Sequence, residues 1–500
     1  MSYKQEAQEL VQNLNQRMGA SPYDIAWLGR LRNKEQDKSR WPDLLGWLLE
    51  NQRPDGSWGG EISYYHDRII CTLAAAIALH ENGSRCPGSE QAVKRAETFL
   101  WQHLHFLHRD PFELVGFELL FPTLLEEARA VGLDIPNHTC GYGKIQAEKL
   151  RLIPPQYLYS PHISTVHSLE FLGKNGDSAK MAQAVSSNGS LGNSPATTAY
   201  YLMLNGKEDP RGVAYLENLR RSMENVIYLY PFSTFELTWA LNNLAFSGLP
   251  ITDFASTAVW DKLRSQLTEV GIGLDPTFGI PDGDITSVTS RLLLLAGYDI
   301  DPAVLARFQD KETFIFKTYD FERNISIGTN LHALETLELM TADYPDREKV
   351  SEEIIIKLLD NRIFNIYWMD KWHASPFYAT AHVLVGMLRH DVFLSYVCRP
   401  TIDWLLHTQR PNGSWGFYDV GTVEETAYVL TALLYYHQHE PIKKEVLQRA
   451  ADFLAANHQG PDSDYPELWI GKCLYTPQDV VRSAVLSALI QYEALFGSVG

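Results

Sequence analysis

Trp47-Leu48-Leu49-Glu50-Asn51-Gln52-Arg53-Pro54-Asp55-Gly56-Ser57-Trp58-Gly59 returns, nearly unchanged, as Trp404-Leu405-Leu406-His407-Thr408-Gln409-Arg410-Pro411-Asn412-Gly413-Ser414-Trp415-Gly416. Each copy reads as the last turn of a helix, a Pro-(Asp/Asn)-Gly turn and a Trp. The Gln is placed to bond the backbone of the turn, and the Trp to cover the end of the preceding helix. A further helical pattern follows each copy, from Arg68 and from Glu424. This is the pattern of stacked helical hairpins, with the motif as a turn staple. Two copies so far apart predict two related helical domains rather than one continuous solenoid.

The rest of the chain agrees. Helical periodicity runs through Leu44 to Glu50, Arg68 to His80, Ser287 to Ala296, Glu352 to Leu359, Glu424 to His437 and Gln478 to Ala494. Alternating strand patterns are scarce, so the predicted class is all-α. The 500 residues suffice for two or three domains with a large core. A net charge of −18 disfavours nucleic acid and anionic membrane as partners, and an anionic ligand would need a local basic pocket or a bridging metal. The start, Met1-Ser2-Tyr3-Lys4-Gln5-Glu6, is polar, and no apolar run is long enough to span a bilayer. Five cysteines without paired Cys-x-x-Cys spacing fit reduced thiols and a cytoplasmic protein. The aromatics fall in clusters such as Tyr64-Tyr65, Tyr228-Leu229-Tyr230 and Tyr367-Trp368. Such clusters serve either as core packing or as the π-faced wall of a cavity that stabilises cations.

Gly279-Ile280-Pro281-Asp282-Gly283-Asp284-Ile285-Thr286-Ser287 sets two acids one residue apart at the start of an apolar helix. A like charge and burial both raise a carboxyl pKa, so one of the pair can keep its proton and deliver it to a carbon–carbon double bond. The plain alternative is a solvated turn with Asp284 as N-cap. The two readings conflict physically, because a helix N-terminus favours carboxylate over acid.

These residues, taken with the Gln-x-x-x-Gly-x-Trp staples, resemble the class II diterpene cyclases, whose motif is Asp-x-Asp-Asp or Asp-x-Asp-Thr. Further stretches resemble the family in order and spacing. They are Ser21-Pro22-Tyr23-Asp24-Ile25-Ala26-Trp27, Asp67-Arg68-Ile69-Ile70-Cys71-Thr72-Leu73-Ala74, and Val115-Gly116-Phe117-Glu118-Leu119-Leu120-Phe121-Pro122. Asn188-Gly189-Ser190 with Ser194-Pro195-Ala196-Thr197 matches as well, as does Asp370-Lys371-Trp372-His373-Ala374-Ser375-Pro376-Phe377-Tyr378. The resemblance covers nearly the whole chain, and the texture is that of bacterial members of halimadienyl type. One departure is Ile285, where the family has Asp or Thr. No Asp-Asp-x-x-Asp or similar metal-loading motif of class I synthases is found.

The resemblance implies two (α/α) double-barrel domains in the βγ arrangement. The γ-like barrel would occupy 20–225, and the β-like barrel 1–19 plus 226–500. The implied reaction is protonation-initiated cyclisation of geranylgeranyl diphosphate to a bicyclic diphosphate of labdane, halimane or clerodane type, with the diphosphate retained. Asp284 would be the general acid, Asp282 its like-charge neighbour and Asn330 its hydrogen-bond partner. His332 and Tyr475 are the expected terminating bases. Trp239, Trp372, Phe377 and Tyr378 would wall the cavity, and Lys371 and Arg68 would hold the diphosphate. Glu61 and Asp67 would hold Mg²⁺. A class I synthase or a phosphatase would act downstream.

Rival readings remain at this point. One is a farnesyl diphosphate cyclase making a drimane. Another is a triterpene cyclase, which would have a longer chain, more staples and an apolar docking patch. A protein prenyltransferase subunit would need a zinc set that no cysteine here supplies. A non-catalytic helical scaffold is the last.

Overall fold

The computed structural model describes residues 2–15, 17–33, 38–204, 209–222, 231–391, 394–458 and 465–498. Tyr228-Leu229-Tyr230 and the predicted boundary at 225/226 lie outside them. The described residues are overwhelmingly helical, with a pair of two-stranded hairpins, Arg32–Asn33 with Lys38–Ser39 and Trp469–Ile470 with Leu474–Tyr475.

The staple forms as its residues dictate. Gln52 Nε2 donates to Gly56 O and to Ala92 O, both at 2.9 Å, and Trp58 Nε1 donates to Leu48 O at 2.7 Å. The second copy repeats this: Gln409 Nε2 reaches Gly413 O at 3.0 Å and Val446 O at 2.9 Å, and Trp415 Nε1 reaches Leu405 O at 2.7 Å. Each Gln thus ties a turn to the next outer helix, and each indole satisfies a carbonyl at a helix end that would otherwise be orphaned. The glycines are obligatory. Gly56 and Gly413 have φ of +92° and +90°, and a Cβ there would lie 2.5 Å from Arg95 O and 2.3 Å from Arg449 O.

Two further staples were hidden in the sequence. Gly189 has φ +90° with Arg211 O 2.3 Å from a built Cβ, but Leu191 stands where the Trp would be. Its N–H donates to Thr198 Oγ1 at 3.0 Å, as Trp58 N does to Thr72 Oγ1. Trp368 makes the indole bond, to Leu358 O at 2.6 Å, without the Pro-Asn-Gly turn.

The staples punctuate two closed rings of helices. In one, Ser233–Leu244, Gly283–Leu295, Ile327–Leu339, Pro376–His390, Val423–His437 and Gln478–Phe496 pack side by side, the last returning to the first. Thr257–Gln266, Arg347–Asp360, Leu394–His407 and Lys444–Asn457 lie outside them, and so does Tyr3–Gln12, which packs on Gln478–Phe496 and Ser233–Leu244 from the far end of the sequence. In the other ring, Pro22–Gly29, Tyr65–Asn82, Phe117–Ala130, the kinked 3-10 segment Ser164–Asn175 and Pro195–Leu204 close in the same way. Burial follows position. Outer Lys444–Asn457 buries only Leu447, Ala450, Ala451 and Leu454, a single stripe, whereas inner Ile327–Leu339 is buried all round through Leu337. No helix among the described residues is long and apolar enough to cross a membrane.

The staple geometry makes a prediction. Gly413→Ala should lower stability by about 2 kcal/mol, the cost of forcing a side chain into a left-handed turn against a carbonyl. Urea unfolding measures it. An unchanged midpoint would mean that the turn is not constrained as described.

Candidate active site

The Asp-Gly-Asp stretch enters the helix Gly283–Leu295 through a gap that only glycine fits: a Cβ on Gly283 would stand 2.1 Å from Lys317 O. The capping residue is Asp282, not Asp284. Asp282 Oδ1 accepts from Asp284 N at 2.8 Å and Ile285 N at 2.9 Å. The helix N-terminus is therefore satisfied by the first acid, and the second is left free of it. Burial, and then the charge of Asp284, push Asp282 up to about 7 despite those bonds and one from Tyr319.

Asp284 is buried, and its Oδ1 lies 2.7 Å from His332 Nδ1. His332 Nε2 has no partner and does not face the cavity. Burial lowers the imidazole pKa, but the charge and hydrogen bond of Asp284 outweigh it, so the net shift is upward. With Nδ1–H donated to Oδ1, the proton of the acid form resides on Oδ2. His332 was predicted as a terminating base; it is instead the partner of the acid.

Asn330, predicted as that partner, does not touch Asp284. Its amide accepts from Phe316 N at 2.9 Å and donates to Phe316 O at 3.1 Å and Ser326 O at 2.8 Å. It ties the loop before the helix to the helix start, and Ser326 is the cap. Asp370 is a third buried acid near the pair. It accepts from Ile327 N and Ser326 Oγ, both at 3.1 Å, and burial followed by the Asp284 charge raises it to about 6.

Asp282, Asp284 and Ile285 open onto a cavity of about 240 Å³ lined by both rings. Trp239, Trp372 and Tyr378, expected on the wall, line it, as does Tyr475, expected as a base; Phe232, Phe235, Phe278, Tyr319 and Trp469 join them. Negative ring faces around an acid suit a developing carbocation. Phe377 is not on this wall; it stacks on Trp404 at 4.9 Å on the outer side of its helix. Two residues four apart on a helix share a face, whereas the adjacent Phe377 and Tyr378 point apart. Burial, reinforced by the charge of Glu236, pushes the Tyr475 phenol far above its usual value, so it stays neutral.

The cavity's polar end carries Lys371, Lys149, Arg323, Glu113, Glu118 and Glu322. Lys371 Nζ donates to Glu322 Oε2 at 2.6 Å and Arg323 to Glu113 Oε2 at 2.6 Å. Arg68 is elsewhere: it clamps the first staple through Ser57 Oγ at 2.8 Å and Glu61 O at 3.2 Å. Glu61 and Asp67 do not fit a metal. Asp67 is buried and gives its oxygens to Leu474 N at 2.8 Å and Gly60 N at 2.7 Å. Glu61 is exposed. Among the described residues no group of three or more His, Cys, Asp or Glu is arranged to hold a metal ion.

Besides these aromatics and cations, a lining histidine escaped the sequence reading. His167 Nδ1 lies 2.7 Å from Gly192 O. A carbonyl only accepts, so Nδ1 carries the hydrogen and Nε2 holds the lone pair. Burial, and then the charge of Lys472, hold the ring down to about 3, so it stays neutral. The signal lay in Val166-His167-Ser168-Leu169-Glu170, where nothing in the spacing marks the histidine.

No family model matches the chain. It is 32% identical over 494 residues to a protein of Mycobacterium tuberculosis named type B diterpene cyclase, covering 94% of this chain and 95% of that one. It is 28% identical over 523 residues to the (+)-kolavenyl diphosphate synthase of Herpetosiphon aurantiacus, covering 96% of each. The solved ent-copalyl diphosphate synthase from Streptomyces platensis superposes with a TM-score of 0.80 at 29% identity, covering 98% of this chain and 99% of that one. The fold is the βγ terpene-cyclase architecture, and the chain belongs to the class II diterpene cyclases. It is an enzyme of that family.

Asp282 gives a pH prediction. Its folded pKa of about 7 stands above the ordinary 3.8, so between those values the folded state binds the extra proton and stability falls as pH rises. Asp282→Asn keeps a capping oxygen and removes the titration. Its urea midpoint should fall less than the wild type's between the acid and neutral ends of that window. Equal slopes would contradict the raised pKa.

Proposed function

We propose that the enzyme cyclises geranylgeranyl diphosphate to a bicyclic diterpenyl diphosphate, the diphosphate staying on the product. The observation that carries this reading is Asp284, with Oδ1 held by His332, on an aromatic cavity that also carries Lys371, Lys149 and Arg323. The proton on Oδ2 forms a C–H bond with the distal alkene, leaving a tertiary cation that two further alkenes close into rings. The carboxylate left behind rests against the imidazole, which donates to it more strongly as charge develops. The aromatic wall excludes water from the cation.

We assign the terminating proton transfer to His167, a neutral imidazole that lines the cavity and keeps the lone pair of Nε2 free of Gly192. One proton enters from Asp284 and one leaves to His167, so substrate and product are isomers; solvent then returns a proton to Asp284 and takes one from His167. Lys371, Lys149 and Arg323 would receive the diphosphate. Mg²⁺ would come with the phosphate oxygens and one of the carboxylates at that end, not through Glu61 or Asp67. Asn330 acts on the loop rather than on the proton, and Ile285 lies on the cavity at the fourth motif position. The units would divide at 20–225 and 1–19 plus 226–500, which the closed rings support. We place the enzyme in the cytoplasm, handing its product to a class I synthase or a phosphatase.

The test is a product assay with Mg²⁺ and either geranylgeranyl or farnesyl diphosphate, followed by phosphatase and mass-detected chromatography. A cyclic C20 alcohol is expected, and Asp284→Asn should reduce its formation by about a thousand-fold. His167→Phe should still consume substrate but release a different isomer or a hydroxylated alcohol. A cyclic product from farnesyl diphosphate alone would shift the substrate to C15. An active Asp284→Asn would remove the acid from the mechanism.

A further inference from the structure

The hairpin Trp469–Ile470/Leu474–Tyr475 belongs to the C-terminal part of the chain, yet the N-terminal ring holds it. Val115 N donates to Gly471 O at 2.8 Å, Leu474 N donates to Asp67 Oδ1 at 2.8 Å, and Ser21 Oγ lies 3.2 Å from Cys473 Sγ. From its own side it has Ile470 N to Trp372 O at 2.9 Å and Ala374 N to Leu468 O at 2.7 Å. Trp469, Ile470, Gly471 and Tyr475 all line the cavity. Between the strands stands Lys472, fully buried. Its Nζ donates to Glu170 Oε1 and Ser194 Oγ, both at 2.6 Å, and to Thr197 Oγ1 at 3.2 Å.

The pair Lys472–Glu170 has both side chains fully out of water. Such a pair gains little stability over a well-packed apolar one, because two charges must be desolvated. What it does supply is geometry. Thr197 Oγ1 also donates to His167 O at 2.7 Å, and Tyr23 OH donates to Glu170 at 3.1 Å. One ammonium group therefore links the hairpin carrying Tyr475 and Trp469 to the segment carrying His167. Both belong to the wall of the cavity.

We propose that Lys472 is a positioning residue for product outcome: through Glu170, Ser194 and Thr197 it fixes the Trp469–Tyr475 hairpin against the His167 segment. Asp67, which the sequence suggested as a metal ligand, holds the same hairpin from the other strand. Lys472 does not line the cavity, so it takes no part in binding the diphosphate. The inference rests on the cyclase reading above.

The experiment is the pair Lys472→Met with Glu170→Gln. The single Lys472→Met leaves a buried carboxylate unpaired and should lower Tm. The double variant removes both charges and should recover most of that loss. If Lys472 positions the wall, the double variant still gives a mixture of cyclic and hydroxylated products. Its kcat falls about ten-fold while KM for geranylgeranyl diphosphate stays within about two-fold. A single wild-type product at wild-type kcat, or a rise in KM alone, overturns the proposal. Asp67→Asn, which loosens the hairpin without stranding a charge, should give a similar mixture with the Mg²⁺ dependence unchanged. A shifted Mg²⁺ requirement would return Asp67 to metal binding, and a wild-type product spectrum would overturn its role on the hairpin. A wild-type enzyme that forms no cyclic alcohol at all would overturn the cyclase reading instead.

Discussion

On the proposed mechanism, an acid strong enough to protonate an alkene has to sit at a helix N-terminus without being spent as the helix cap. Those demands oppose each other, since the exposed N–H groups of a first turn hold a carboxylate as an anion. The structure separates them over two residues. Asp282 takes the N–H groups of Asp284 and Ile285, and Asp284, bonded through one oxygen to His332, lines the cavity. Glycine between them lets the chain pass Lys317 O closely enough for the arrangement to exist. The rest of the molecule is built around that point. One ring of helices carries the acid, the other closes the cavity, and a hairpin from the first is anchored in the second.

How much of this could be read from residues alone depended on how local the contact was. The staples at Trp58 and Trp415 were legible because turn, Gln and Trp lie within one short stretch. The equivalents at Leu191 and Trp368 were not: the first lacks the Gln and the Trp, the second the Gln and the Gly, and each keeps a hydrogen bond of the staple. Asp284 was legible from its neighbour and the turn. Its partner was not: Asn330 and His332 share a helix, and only the packing of Ile327–Leu339 on Gly283–Leu295 decides which one meets the acid.

Asp67 and Arg68 were expected as ligands for metal and phosphate from the family motif they match. In the folded chain Asp67 accepts from Leu474, more than four hundred positions away, and Arg68 braces carbonyls of its own turn. Burial converts both from binding groups to structural ones. His167 is the reverse: an unremarkable histidine in sequence lines the cavity, with its tautomer fixed by Gly192.

The central claim is that the reaction begins with a proton from Asp284, not with loss of diphosphate. Deuterium labelling tests it most directly: geranylgeranyl diphosphate is incubated with the enzyme in D₂O and the cyclic product is analysed intact by mass spectrometry and NMR. A single added deuterium is expected, on a ring carbon of the former distal alkene, in a product that still bears its diphosphate. An unlabelled cyclic product, or stoichiometric release of inorganic diphosphate, would contradict it.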